Sequence, residues 1–217
     1  ALFLCGFVRG PVERMVDLGT GSGILPLVLT RFGKARHAVG IEIQEGLAER
    51  ARRSVKRNGL AEKIEILDAD LRELKGVLPA GRFELVACNP PYGKAGAGQL
   101  NPDNERALAR HEILCTLSDV VCAAARLLCP RGRLATVFPP ARLPEALELC
   151  AESGLRPTRL RLIQGRTSLP PKNVLLEATR GTRARLEIEP SLIIYGEDGE
   201  YTAEAKEMLY PAGNGFG

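Results

Sequence analysis

A doubly wound α/β fold, with seven strands in a mostly parallel sheet and helices on both faces, is predicted by three observations. Short aliphatic or β-branched runs alternate with amphipathic helical stretches along most of the chain. A glycine turn, Gly19-Thr20-Gly21-Ser22-Gly23, stands between the first such run and the first such stretch. Acidic residues recur at the ends of the first three runs, at Asp17, Glu42 and Asp70.

Residues 14–18 form the first expected strand, and 23–32 a helix opened by Gly23. Residues 37–43 are the second strand. The helix at 45–58 stops at Asn58-Gly59, a normal C-terminal signal. Strands at 64–67 and 83–88 follow, then a long helix over 106–128. Residues 134–138, 160–163 and 174–178 complete the seven strands, with a helix at 144–153. Two segments resist this alternation. Residues 93–105 are rich in Gly, Ala, Asn and Pro and lack periodicity, so they read as a loop of the length usually reserved for function. The tail from 186 reads as a hairpin or short strands around Gly196 and Asp198-Gly199, followed by a short helix. No repeat or linker divides the chain, so 1–217 is expected to be one domain, with 186–217 as its C-terminal appendage.

Composition narrows the functional class. With 217 residues, 45% of them hydrophobic, the chain can bury one sizeable core. No apolar run approaches the ~20 residues of a membrane span, and no secretory signal is visible in a sequence that opens at Ala1 without a methionine. The six cysteines show no CxxC pair, which argues against a disulfide framework or a metal site and for reduced thiols in a cytoplasmic protein. Cys115, Cys122 and Cys129 recur every seven residues and are expected on one buried helix face. The net charge of +4 is unevenly placed: residues 156–185 hold eight basic side chains against the single acid Glu177, a sum of +7, leaving −3 for the rest. Such asymmetry suits a polyanion-binding face, with Arg159, Arg161, Arg166 and Lys172 as candidate contacts. Lys94, Arg110 and His111 are further candidates, within or after the 93–105 loop.

The glycine turn follows a strand and opens a helix, the position where open α/β sheets bind ligands. A dinucleotide pyrophosphate could sit at the helix N-terminus, but Asp17, just before the first glycine, would repel it. A carboxylate there suits a ligand with an ammonium and a sulfonium. Glu42 ends the second strand, where it can accept ribose hydroxyls. Asp70 follows the third, where it can accept an adenine amino hydrogen. This constellation fits S-adenosylmethionine better than NAD. Ile43 and Leu71, next to these acids, join Gly19, Thr20, Gly21, Gly23 and Asn89 in the expected cofactor site.

Asn89-Pro90-Pro91-Tyr92 comes directly after the fourth strand. The prolines fix a rigid turn and withhold two amide protons, leaving carbonyls exposed. The Asn89 side-chain carbonyl and the Pro90 backbone carbonyl can accept the two hydrogens of an amino group on a heteroaromatic ring. That orients the nitrogen lone pair for in-line attack on a methyl group, and Tyr92 can stack on the ring. These four residues are the candidate catalytic set.

The turn over 17–23 and the Asn89-Pro90-Pro91-Tyr92 tetrapeptide, with Ala109-Arg110-His111-Glu112, Pro171-Lys172-Asn173-Val174-Leu175-Leu176-Glu177-Ala178 and Tyr201-Thr202-Ala203-Glu204, resemble the bacterial adenine-N6 methyltransferases of valine tRNA. The resemblance covers nearly the whole chain. It implies a Rossmann-like class I methyltransferase domain, S-adenosylmethionine as cofactor, tRNA as partner, and methylation of the adenine immediately 3′ of the anticodon. Relatives carry a few dozen residues before the position of Ala1, a segment expected to be missing here. The same tetrapeptide serves glutamine-N5 methylation of release factors, but those enzymes carry an N-terminal helical domain. A DNA adenine methyltransferase would need a target-recognition domain. A non-catalytic RNA-binding module would not need Asp17, Glu42, Asp70 and Asn89, and an NAD oxidoreductase would need a proton relay that neither His37 nor His111 supplies.

Overall fold

The computed structural model describes residues 1–90 and 115–210. Eight strands form one sheet in the order β3-β2-β1-β4-β5-β7-β6-β8. They are β1 Val12–Leu18, β2 Ala35–Glu42, β3 Ile64–Asp68, β4 Phe83–Cys88, β5 Leu128–Phe138, β6 Leu155–Gln164, β7 Asn173–Arg180 and β8 Glu187–Ile193. The helices among the described residues are α1 Leu2–Phe7, α2 Ile24–Arg31, α3 Glu45–Arg57, α4 Leu117–Leu127, α5 Leu143–Glu152 and α6 Ala203–Leu209. Only β7 runs antiparallel to its neighbours.

The expected seven strands are therefore eight. The additional strand, β8, comes from the tail and lies parallel to β6, with Leu160 opposite Ile188. Past β8, Tyr195 bridges Tyr201 and α6 follows, as the tail reading expected. The cysteine expectation is also corrected. Cys115 precedes α4, Cys122 is exposed, and Cys129 lies on β5. A capping box explains the later helix start: the Thr116 hydroxyl accepts from the Asp119 amide, and the Asp119 carboxylate accepts from the Thr116 amide at 2.8 Å.

Both faces of the sheet are covered, which is why its central strands are apolar on alternate and intervening positions alike. In β1, Met15, Val16, Asp17 and Leu18 are all buried. Val16, Leu18, Val86 and Leu134 pack under α4 and α5, while Met15, Leu85 and Leu175 pack under α1, α2, α3 and α6. Truncating one such leucine to alanine costs about 2–5 kcal/mol. Among the described residues no helix is long and apolar enough to cross a membrane.

Candidate active site

The carboxyl ends of β1, β2, β3 and β4 surround a cavity of about 290 Å³. Its wall is built from the turn after β1, from Glu42 and Ile43 after β2, from Asp70 and Leu71 after β3, and from Asn89 and Pro90 after β4. Ile24, Leu25, Ile41 and Leu47 give it apolar sides. Gly19, Gly21 and Gly23 hold φ of 71°, 56° and 84°, values a side chain would resist. The Thr20 amide donates to the Ile41 carbonyl at 2.8 Å, which ties the turn to β2. Thr20 lies so close to β2 that a Cβ on Gly40 would stand 2.8 Å from its Cγ2.

Asp17 is at the floor. It is 1% exposed, and neither carboxylate oxygen has a hydrogen-bond partner among the described residues. Burial lifts its carboxyl to about 7 from an ordinary 3.8; the neighbouring Thr20 hydroxyl opposes the rise and the Glu42 charge adds to it. A buried acceptor without a donor is costly, and a ligand carrying a cationic group would satisfy it. A pyrophosphate would not. The residues present thus fit S-adenosylmethionine.

Glu42 and Asp70 are more heavily engaged than their positions suggest. Glu42 Oε2 accepts from the Gly21 amide at 2.8 Å and Oε1 from the Gln44 amide at 3.0 Å. Asp70 caps the short turn Leu71–Glu73 through the Arg72 amide and takes the Arg72 guanidinium at 2.5–3.0 Å. The Arg72 guanidinium holds the Asp70 carboxyl below its usual range. Glu42 keeps unused lone pairs for a ligand, whereas Arg72 takes up both oxygens of Asp70, so a ligand there competes with the Arg72 guanidinium. The sequence signal for this latch was the Asp70-Leu71-Arg72 spacing. Cys88 and Cys115 also line the cavity, a placement that nothing in their spacing signals; Cys88 donates its thiol to the Leu18 carbonyl at 3.0 Å.

Asn89 is exposed at the cavity's edge and Pro90 is buried beside it. Pro91, Tyr92, Lys94, Arg110 and His111 lie outside the described residues. Gly23 shapes the turn without lining the cavity. Among the described residues no cluster of three His, Cys, Asp or Glu could hold a metal.

The expected basic face is corrected. Arg159 is 6% and Arg161 8% exposed, because acids on other elements take them inward. Arg159 pairs with Glu177 at 3.2 Å and Glu189 at 2.8 Å, donates to the Phe7 carbonyl, and lies 4.1 Å from the Phe7 ring centroid. Arg161 pairs with Glu204 at 2.5 Å and donates to the Pro190 carbonyl. Both fasten β6 to β8 and the terminal helices and are not available to a polyanion. Arg166 and Lys172 are exposed in the β6–β7 connection, on the same rim of the sheet as the cavity.

A family described as Methyltransferase domain matches residues 15–110. A tRNA1(Val) (adenine(37)-N6)-methyltransferase of Porphyromonas gingivalis is 33% identical over 204 residues, 92% of this chain and 79% of the relative. One of Aeromonas salmonicida is 30% identical over 92% of this chain and 81% of its own. The crystal structure of a predicted O-methyltransferase from Agrobacterium tumefaciens superposes with a TM-score of 0.77 at 24% identity, covering 96% of this chain and 94% of the other. On this likeness, which runs through the cavity-bearing strands and the tail alike, the chain belongs to the tRNA1(Val) (adenine(37)-N6)-methyltransferase family.

Proposed function

We propose that the chain, acting in the cytoplasm as a single domain, methylates N6 of the anticodon-loop adenine of valine tRNA with S-adenosylmethionine as donor. The observation that carries this reading is one cavity that holds both the unpartnered Asp17 carboxylate and, at its edge, Asn89. The donor, when bound, supplies an electrophilic methyl group on a positively charged sulfur. Asp17 pairs with a cationic group of that ligand. Glu42 accepts its hydroxyl hydrogens through the lone pairs that Gly21 and Gln44 leave free, and Asp70 accepts its amino hydrogen where that hydrogen displaces part of the Arg72 guanidinium. Ile43 and Leu71 offer apolar contact to its base.

Asn89 and the Pro90 carbonyl accept the two hydrogens of the target amino group and hold its lone pair toward the cavity; Pro91 and Tyr92 complete the set. Positioning of this kind contributes up to ~7–11 kcal/mol in favourable systems. No strongly basic side chain is required, because the amine becomes acidic only once methylated. Arg166 and Lys172, together with Lys94, Arg110 and His111, are the proposed RNA contacts.

Labelled methyl transfer to unmodified tRNA and to a purified release factor, offered side by side, tests the proposal. N6-methyladenine in a single tRNA supports it. Label in the release factor would keep the tetrapeptide chemistry and overturn the substrate.

A further inference from the structure

The basic stretch of residues 156–185 is divided among three places. Arg159 and Arg161 are buried, and Arg166 and Lys172 stand on the rim of the sheet that also carries the cavity, in the β6–β7 connection. Arg156, Arg180, Arg183 and Arg185 gather at the opposite rim, where β6 begins and β7 ends; Leu155 faces Arg180 and Arg156 faces Thr179. β5 reaches the same corner, with Arg133 opposite Thr179. There it adds Arg131, in a bulge where the five steps from Leu128 to Arg133 match only two on β4, from Phe83 to Leu85.

Two features set this corner apart from an ordinary solvated surface. Arg131, Arg156, Arg183 and Arg185 are exposed, and none has an ion-pair partner among the described residues. Arg180 donates to the Leu128 carbonyl, and the chain holds no acid between Glu177 and Glu187. Guanidiniums without an ion-pair partner on one corner of a sheet repel one another until an anion enters. Arg131 also has φ 64°, the only non-glycine with positive φ among the described residues. Glycine would adopt that conformation more cheaply, and with glycine the charge would be lost.

We infer that this arginine corner is a second phosphate-binding surface, for the body of the same folded RNA whose target base enters the cavity at the other rim. The inference rests on the tRNA reading above. Arginine forks match phosphate oxygens bidentately and shed water readily. The two basic sites stand at opposite ends of β6, about 30 Å apart for its ten residues. A few loop nucleotides at the cavity do not cover that span, whereas a folded RNA arm can.

The test compares unmodified tRNA with a short single-stranded oligonucleotide of the anticodon-loop sequence, binding each across a salt series. R183E/R185E changes a segment outside every strand and helix. Its tRNA affinity should fall roughly tenfold and its log–log salt slope should flatten by about 1–2, with oligonucleotide and cofactor affinities unchanged. An unaltered tRNA slope, or equal losses for tRNA and oligonucleotide, would overturn the second surface. R131G should raise the melting temperature while weakening tRNA binding; a rise with tRNA affinity unchanged removes Arg131 from the surface. Wild-type protein that binds cofactor but neither RNA would overturn the tRNA reading itself.

Discussion

Asp17→Asn should make the cofactor-free protein more stable at pH 8 and remove the fall in stability that Asp17 causes between about pH 4 and 7. The folded carboxyl titrates near 7 against an ordinary 3.8, so the folded state holds this proton more tightly than the unfolded chain does. Stability from this group is therefore greatest below about 4, falls as pH rises, and levels off above about 7. At ~1.4 kcal/mol per pH unit, the interval corresponds to on the order of 4 kcal/mol lost by pH 8. Asparagine avoids that loss but keeps an unsatisfied buried amide, which costs about 1–3 kcal/mol. The net gain is roughly 1–3 kcal/mol, or several degrees for a chain of this size. Thermal unfolding at pH 5 and pH 8, with and without S-adenosylmethionine, reads it directly. The parent should gain melting temperature from the cofactor at pH 8 and the variant should not. A variant no more stable than the parent at pH 8, or one still stabilised fully by cofactor, would refute the reasoning.

Other substitutions probe the remaining parts of the site and its frame. Asn89→Ala should abolish methyl transfer while cofactor affinity, measured by calorimetry, stays within a few-fold; loss of both would give Asn89 a different role. Gly40→Ala places a Cβ against Thr20 and should cost about 1–3 kcal/mol, with weaker cofactor binding because the turn must shift. Arg159→Met takes one of two arginines from the buried Glu177 and leaves it Arg133, so it should cost about 1.5–3 kcal/mol, a drop of roughly 5 °C. The tRNA affinity of that variant, measured well below its melting point, should match the parent's.

The parts of the fold written in local signals were legible. Apolar runs, the glycine turn and Asn58-Gly59 each act through neighbours in the chain, and the acids after three strands needed only their positions to be noticed. Features fixed by distant partners were not legible. Arg159 and Arg161 read as surface charges because a count over 156–185 includes Glu177 but not Glu189 or Glu204, the acids that draw them inward. The tail reads as a hairpin or short strands, but the pairing of β8 with the main sheet escaped for the same reason, because it shows only once Arg161 is seen donating to the Pro190 carbonyl. Pro190 is tolerated because β8 is an edge strand. The seven-residue cysteine spacing suggested a helix face, but the chain turns from α4 directly into β5 at Leu128.

The packing of α1 has a consequence for the order of events on the ribosome. Leu4 and Phe7 are buried, and the helix packs mainly against α6; Leu2 and Leu209 share one small cleft, and a Cβ on Gly6 would stand 2.7 Å from Met208. Lys34 steadies it by donating to the carbonyls of Cys5, Gly6 and Val8, but its main cover is made some 200 residues later. At ~5–20 residues per second, that is a wait of roughly 10–40 s. Through that interval an apolar helix stays half clothed. A chaperone that shields nascent chains would find a long-lived target here.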